Sequence, residues 1–241
     1  MRKVALITGS SQGIGREIAK CFAKEYDVVL HGFSHKEELF ALREELLLEG
    51  CDVLAFAGDI GDEKFVKSMF NEIKMRFGRL DVCVNNAGIA LVKLLRDTKT
   101  DEWNKVINTN LTSVFLCSKE AIELMLPRKE GSIINISSIW GNVGASCEVA
   151  YSASKGGVNS FTKALAKEMA PSNISVNAIA CGVIDTKMNS NLSEEEKNEL
   201  AEEIPAGRFA SPKEVALLAY SMAKQSGYLT GQVITFDGGF T

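Results

Sequence analysis

Apolar runs of five to seven residues recur along the whole chain, separated by longer stretches in which apolar residues return every three or four positions. The short runs predict strands at 3–8, 27–31, 52–57, 80–85, 131–136, 174–180 and 232–236. The amphipathic stretches predict helices near 13–25, 35–49, 62–77, 101–126, 152–169 and 212–224. Strand followed by helix without interruption is the pattern of a parallel sheet covered on both faces. Right-handed crossovers make such a sheet doubly wound, with its ligand crevice at the carboxyl ends of the strands. The chain has only four prolines, and no Pro/Ser-rich linker divides it. One α/β domain of Rossmann type over residues 1–241 is therefore expected.

The stretch 186–208 breaks this alternation with a run of acidic residues. Ser193 with Glu196 three residues later is a capping box, so a helix should begin there. It reads either as a solvated surface helix or as a substrate lid over 187–208. The lid reading follows from its place directly after the sixth strand, at the ligand edge of the sheet.

At 241 residues and 46% hydrophobic content the chain can bury a sizeable core. Its net charge of −4 supplies no basic field for nucleic acid. Met1-Arg2-Lys3 leads straight into a strand-like run rather than a signal peptide, and no apolar run approaches the ~20 residues that span a bilayer. The expected location is the cytoplasm, with no membrane partner. The six cysteines include no Cys-x-x-Cys, and the two histidines have no further ligand at suitable spacing. Reduced, mostly buried thiols and no metal are the expectation.

Candidate chemistry begins with Tyr151 and Lys155, one helical turn apart, with Ser138 thirteen residues upstream. Their spacing puts phenol and ammonium on one helix face with Cβ atoms about 6 Å apart. A phenol titrates near ~10, too high for acid–base work at neutral pH. A unit charge at ~4 Å is worth about 4 kcal/mol at an effective dielectric of 20, enough to lower that value by roughly three pH units before desolvation. Thr8-Gly9-Ser10-Ser11-Gln12-Gly13-Ile14-Gly15 forms a glycine-rich turn between the first strand and helix. Such a turn lets backbone approach a pyrophosphate at a helix N-terminus.

Taken together, Thr8–Gly15, Asp59-Ile60, Asn85-Asn86-Ala87-Gly88, Asn110, Ser138, Tyr151 and Lys155 resemble the motifs of the short-chain dehydrogenase/reductases. The resemblance runs through to Gly231–Gly239 and is nearest to the 3-oxoacyl-(acyl carrier protein) reductases. It implies a catalytic set of Asn110, Ser138, Tyr151 and Lys155. Tyr151 would donate a proton to a ketone oxygen that Ser138 holds; Ser137 is its neighbour, but the offset to Tyr151 favours Ser138. Lys155 would also bond the nicotinamide ribose, and Asn110 would hold a water linking Lys155 to solvent.

For the cofactor, the resemblance assigns Gly9, Ser11, Gln12, Gly13, Ile14 and Gly15 to the pyrophosphate and adenosine ribose. It assigns Asp59 and Ile60 to the adenine, and Asn86, Ala87 and Gly88 to the cleft. Ile184 and Thr186 would meet the carboxamide side. Gly32 stands where NAD-users carry an acid, so nothing there repels a 2′-phosphate. His31, Ser34, His35 and Lys36 lie close enough in sequence to accept one, which favours NADP(H). Gln12 stands where many NADP-users carry arginine.

Trp140, Cys147 and Glu148 fall in the loop expected to form one wall of the substrate pocket, with Trp140 either wall or core. Glu148 stands where the acyl-carrier reductases usually carry an amide, and a carboxylate suits an amine-bearing ketone. Arg128-Lys129 offers a basic patch for an acidic carrier protein. Cys181 replaces the usual proline before Gly182. Gly-Ala-Ser-Cys-Glu-Val before Tyr151 and Val-Ile-Asp-Thr before the acidic stretch are similar to a branch that reduces a 5-aminopentanone group on elongation factor P. A non-catalytic NADP(H)-sensing protein is the reading from another class; the complete catalytic set argues against it. The family implies a homotetramer packed through helices 101–126 and 152–169 and the last strand.

Overall fold

The computed structural model describes residues 2–187, 193–225 and 227–241. Its centre is one seven-stranded parallel sheet in the order β3-β2-β1-β4-β5-β6-β7. The strands are β1 (Lys3–Ile7), β2 (Tyr26–Gly32), β3 (Val53–Ala57), β4 (Val82–Asn85), β5 (Gly131–Ser138), β6 (Ile174–Cys181) and β7 (Val233–Phe236). Each lies within a few residues of its predicted place. The order reverses between β1 and β4, so the loops after these two strands part and open a crevice at their carboxyl ends.

Helices α1 (Gly13–Ala23), α2 (Lys36–Leu48) and α3 (Glu63–Phe77) connect the first half of the sheet. In the second half come α4 (Thr100–Ile107), α5 (Ser113–Met125), α6 (Trp140–Val143), α7 (Val149–Met169), α8 (Glu194–Glu203) and α9 (Pro212–Ala223). Alternate residues of each strand point to opposite faces, and the two cores follow that period. Ala5, Ile7, Val28 and Leu30 pack with Ile18, Phe22, Leu42 and Ala219 on one face. Val4, Leu6 and Val29 pack with Met69, Ile73, Cys117 and Ala121 on the other.

Local chemistry sets the helix ends. Asp62 accepts the amide of Lys64 at 2.9 Å to start α3, and Gly78 stops it in the left-handed region at φ 65°. Ser193 and Glu196 form the predicted capping box of α8. The rest of the expected lid falls partly at 188–192, outside the described residues.

One prediction needs correction. The helix expected over 101–126 is divided, because residues Asn108–Thr112 form a π-helical turn between α4 and α5. Such a turn shifts the hydrogen-bond register and is frequent at functional sites; Asn110 lies inside it.

Candidate active site

The loops after β1, β4, β5 and β6 converge at the carboxyl edge of the sheet. Ser138 ends β5 in register with Cys181 at the end of β6. Ser138 Oγ accepts the backbone N–H of Trp140 at 3.2 Å. Its own proton is thereby left to donate elsewhere, and Ser138 hydrogen-bonds the Tyr151 hydroxyl.

Tyr151 and Lys155 lie in the first two turns of α7. The Lys155 Nζ stands 5.6 Å from the Tyr151 ring centre and donates to the carbonyl of Ile136 at 2.8 Å. This geometry does not produce the expected drop in the phenol's pKa. Burial pushes Tyr151 well above its ordinary value, the bond from Ser138 opposes that rise, and nearby Cys181 and Glu148 add to it. Burial also lowers Lys155 to about 8, against a smaller opposite effect of Cys181. Lys155 is thus the member of the pair that titrates near neutrality, while Tyr151 stays protonated and ready to donate.

Asn110 is buried and its carboxamide is committed. Oδ1 accepts the N–H of Ile89 at 2.8 Å, and Nδ2 donates to the Ile89 carbonyl at 2.9 Å and to Ser154 Oγ at 3.1 Å. It therefore clamps the loop after β4 to α7. A Cβ on Gly88 would lie 3.4 Å from Asn110 Oδ1 and 3.5 Å from Lys155 Nζ, so glycine keeps the space between those two groups clear. Ser154 was not singled out in the sequence, although it sits beside Lys155 in Tyr-Ser-Ala-Ser-Lys.

The glycine-rich turn is held from β4. Thr8 Oγ1 accepts the amides of Asn86 and Ala87 at 2.9 and 3.0 Å, and Asn86 Nδ2 donates to the carbonyls of Thr8 and Gly9. Gly15 is obligatory, since a Cβ there would meet the Gly9 carbonyl oxygen at 2.2 Å. Gly9 has φ 65° and Gly13 φ 55°, both left-handed. A Cβ on Gly13 would lie 3.4 Å from Thr186, which places the loop after β6 opposite the turn.

These residues fit a dinucleotide. Among the described residues no side chain caps α1, which leaves its N-terminus open to the crevice. Gln12 Oε1 is a buried acceptor with no partner among the described residues, suited to a ribose hydroxyl. Ser11, Gln12 and Ile14 flank the turn as expected, and Ser34 is exposed after β2.

Burial removes one predicted contact and restricts two others to their backbone. His31 is 1% exposed; its Nδ1 accepts the amide of Gly9 at 3.3 Å and its Nε2 donates to the Gly58 carbonyl at 2.9 Å. Both ring nitrogens are used, so His31 is no ligand for a phosphate. The side chain of Ile60 is in the core with Val66 and Phe70, and that of Ile184 in the core with Val215, which leaves only their backbone to a cofactor. Asp59 is exposed and caps its own loop by accepting from the Gly61 amide at 2.8 Å.

On the substrate side, Trp140 is half-buried and packs edge-on against Phe240 at 6.1 Å, between the two expected settings. Cys147 adopts φ 61°, a strained value for a non-glycine residue, and its carbonyl accepts the Lys93 amide. Glu148 is half-buried just before α7, and burial raises its carboxyl above the usual range, with no cation among the described residues opposing it. Of the expected Arg128-Lys129 patch, Lys129 is exposed and Arg128 is drawn into the fold. Its guanidinium donates to the carbonyls of Leu124 and Leu80 and meets buried Asp81 at 3.5 Å. It also lies just before β5, at the edge of the sheet opposite Ser138.

The description "short chain dehydrogenase" matches residues 3–197 of the chain. The chain belongs to the short-chain dehydrogenase family. Family membership makes it an oxidoreductase acting on CH–OH/C=O groups. It is 42% identical over 241 residues to the 3-oxoacyl-[acyl-carrier-protein] reductase FabG of Staphylococcus aureus, covering 99% of this chain and 98% of that one. The reductase of the same name from Thermotoga maritima is 40% identical over 238 residues, 98% and 97% of the two chains. Among solved structures, a putative gluconate dehydrogenase from Agrobacterium tumefaciens superposes with TM-score 0.94 at 34% identity, over 99% and 95% of the chains. Among the described residues no helix is long and apolar enough to cross a membrane.

Proposed function

We propose that this chain is an NADPH-dependent ketoreductase whose substrate is a 3-oxoacyl thioester presented on a carrier protein. The observation that carries this reading is the convergence of Ser138, Tyr151 and Lys155 beside a glycine turn built for pyrophosphate. The names of the full-length relatives support the thioester. A bound nicotinamide supplies the hydride. Ser138 donates a hydrogen bond to the ketone oxygen, where charge develops. Tyr151, protonated at neutral pH, gives its proton to that oxygen. Charged Lys155 stabilises the phenolate left behind, and Asn110 fixes the wall through which a proton returns.

Gly32 supports NADPH over NADH, because no carboxylate at the end of β2 repels a 2′-phosphate. A homotetramer agrees with the 47% exposed Phe115 on α5, apolar surface that helix packing between subunits would cover. A cytoplasmic enzyme remains the reading of its location.

Glu148 favours a second substrate reading. A half-buried carboxylate near the catalytic phenol suits a ketone that carries an amine, such as the 5-aminopentanone group on elongation factor P. The test is oxidation of NADPH or NADH, followed by absorbance, with an acetoacetyl thioester. Rapid NADPH oxidation supports the thioester reading. NADPH binding without thioester reduction turns the assignment to the amine-bearing ketone.

A further inference from the structure

We infer that His31 is a positioning residue for the dinucleotide site, its neutral imidazole tying the phosphate-facing turn at Gly9 to the loop after β3 at Gly58. The inference rests on the cofactor reading above and adds to it a residue that touches no ligand.

The bonds dictate the tautomer. An amide N–H can only donate, so the Nδ1 that faces Gly9 at 3.3 Å must carry a lone pair. A carbonyl can only accept, so the Nε2 at 2.9 Å from Gly58 must carry the proton. The main chain of His31 adds to the anchor: its carbonyl accepts the Ser10 amide at 2.8 Å and its amide donates to Ser10 Oγ at 3.1 Å. Gly58 in turn donates to the Gly32 carbonyl at 3.1 Å, so the turn, β2 and the adenine-side loop form one connected unit. The Gly9 backbone runs close against Ala87, where a Cβ would meet Ala87 Cα at 2.8 Å, so the turn admits no side chain at this position.

Protonation would turn Nδ1 into a donor facing a donor, and the Gly9 contact would be lost. The loop after β3 brings Asp59, among the described residues the one charged group that acts on the ring, favouring the proton. The Gly9–Ser10 turn brings no charge, and α3 brings the Phe65 ring at 5.7 Å. Burial outweighs the Gly58 bond and Asp59, both of which favour the proton, and lowers the imidazole below its ordinary value, so the ring is neutral at pH 7. A buried pyrophosphate nearby would act the other way, attracting an imidazolium; the sign of the pH dependence separates the two roles.

The experiment is NADPH binding by nicotinamide fluorescence between about pH 5.5 and 8. It compares the full wild-type chain with His31→Gln and His31→Leu, and adds long-range proton–nitrogen NMR of the wild-type ring. Glutamine can accept through Oε1 and donate through Nε2, so His31→Gln should bind within about threefold of wild type at pH 7.5. His31→Leu should weaken binding about five- to tenfold, the loss of one net hydrogen bond. Wild-type affinity should fall at the acid end, the glutamine variant should lack that fall, and NMR should show the proton on Nε2. Affinity that rises toward acid pH and loses that rise in His31→Gln would overturn the proposal, as would a ring protonated on Nδ1. The wild-type pH profile and the NMR do not depend on either variant folding. A wild type that binds neither nicotinamide cofactor refutes the ketoreductase reading, whereas binding that ignores both substitutions refutes the bridge alone.

Discussion

The Nζ of Lys155 donates to the carbonyl of Ile136 at 2.8 Å while standing 5.6 Å from the centre of the Tyr151 ring. The lysine is therefore anchored on β5, beneath the phenol's ring rather than bonded to its hydroxyl. Burial brings the ammonium to about 8, so it loses its charge just above neutrality. Ketone reduction should slow as pH rises through about 8, because the phenolate formed on Tyr151 then lacks its counter-charge. A rate that stays flat to pH 10 contradicts this role.

The same shift makes a stability prediction. Below about 8 both folded and unfolded chains carry the Lys155 proton, and the penalty for burying it is full. Between about 8 and the ordinary 10.5 the unfolded chain binds more protons, so this residue's contribution to stability should rise with pH across that window. The melting temperature of wild type relative to that of Lys155→Met should rise as pH increases through this window.

Cofactor choice is testable at one position. A Cβ on Gly32 would lie 3.4 Å from Leu39 and 3.5 Å from Ser11, ordinary contact distances, so a larger residue is tolerated there. Gly32→Asp should shift preference from NADPH toward NADH by about tenfold or more, through repulsion of the 2′-phosphate and a new bond to the 2′-hydroxyl. Unchanged selectivity would mean that discrimination lies elsewhere.

Arg128 separates stability from docking. Asp81 has a side chain only 3% exposed and is bonded by Arg79 as well as Arg128. Arg128→Ala should cost about 1–3 kcal/mol in urea unfolding and leave KM for a carrier-bound ketone unchanged. A large rise in KM would restore the docking patch that the fold argues against.

Glu148 separates the two substrate readings. Glu148→Gln should leave thioester reduction within about twofold of wild type if the acyl reading is right. If the substrate carries an amine, the same change should raise its KM about tenfold.

The strand periodicity was enough to place all seven strands, because a sheet buried on both faces leaves short, nearly continuous apolar runs. The division at Asn108–Thr112 was invisible, since a π turn keeps helical composition and changes only the register of bonding. Ser138, Tyr151, Lys155 and the turn were legible from residue type and spacing. What spacing does not carry is burial. It hid that His31 has no access to a ligand, that Arg128 bonds the Leu80 and Leu124 carbonyls, and that desolvation at Tyr151 exceeds any help from Lys155. Ser154 and the Ile136 carbonyl escaped for a related reason, as their roles depend on which neighbours the fold brings to Asn110 and Lys155.

The most direct measurement is NADPH oxidation with an acetoacetyl thioester by wild type and Tyr151→Phe, with NADPH affinity determined on both proteins. The phenol's proton and not its ring is the reactive group, so turnover should fall by about 10²–10⁴ while NADPH affinity stays near that of wild type. Retained turnover in Tyr151→Phe would show that Tyr151 is not the proton donor.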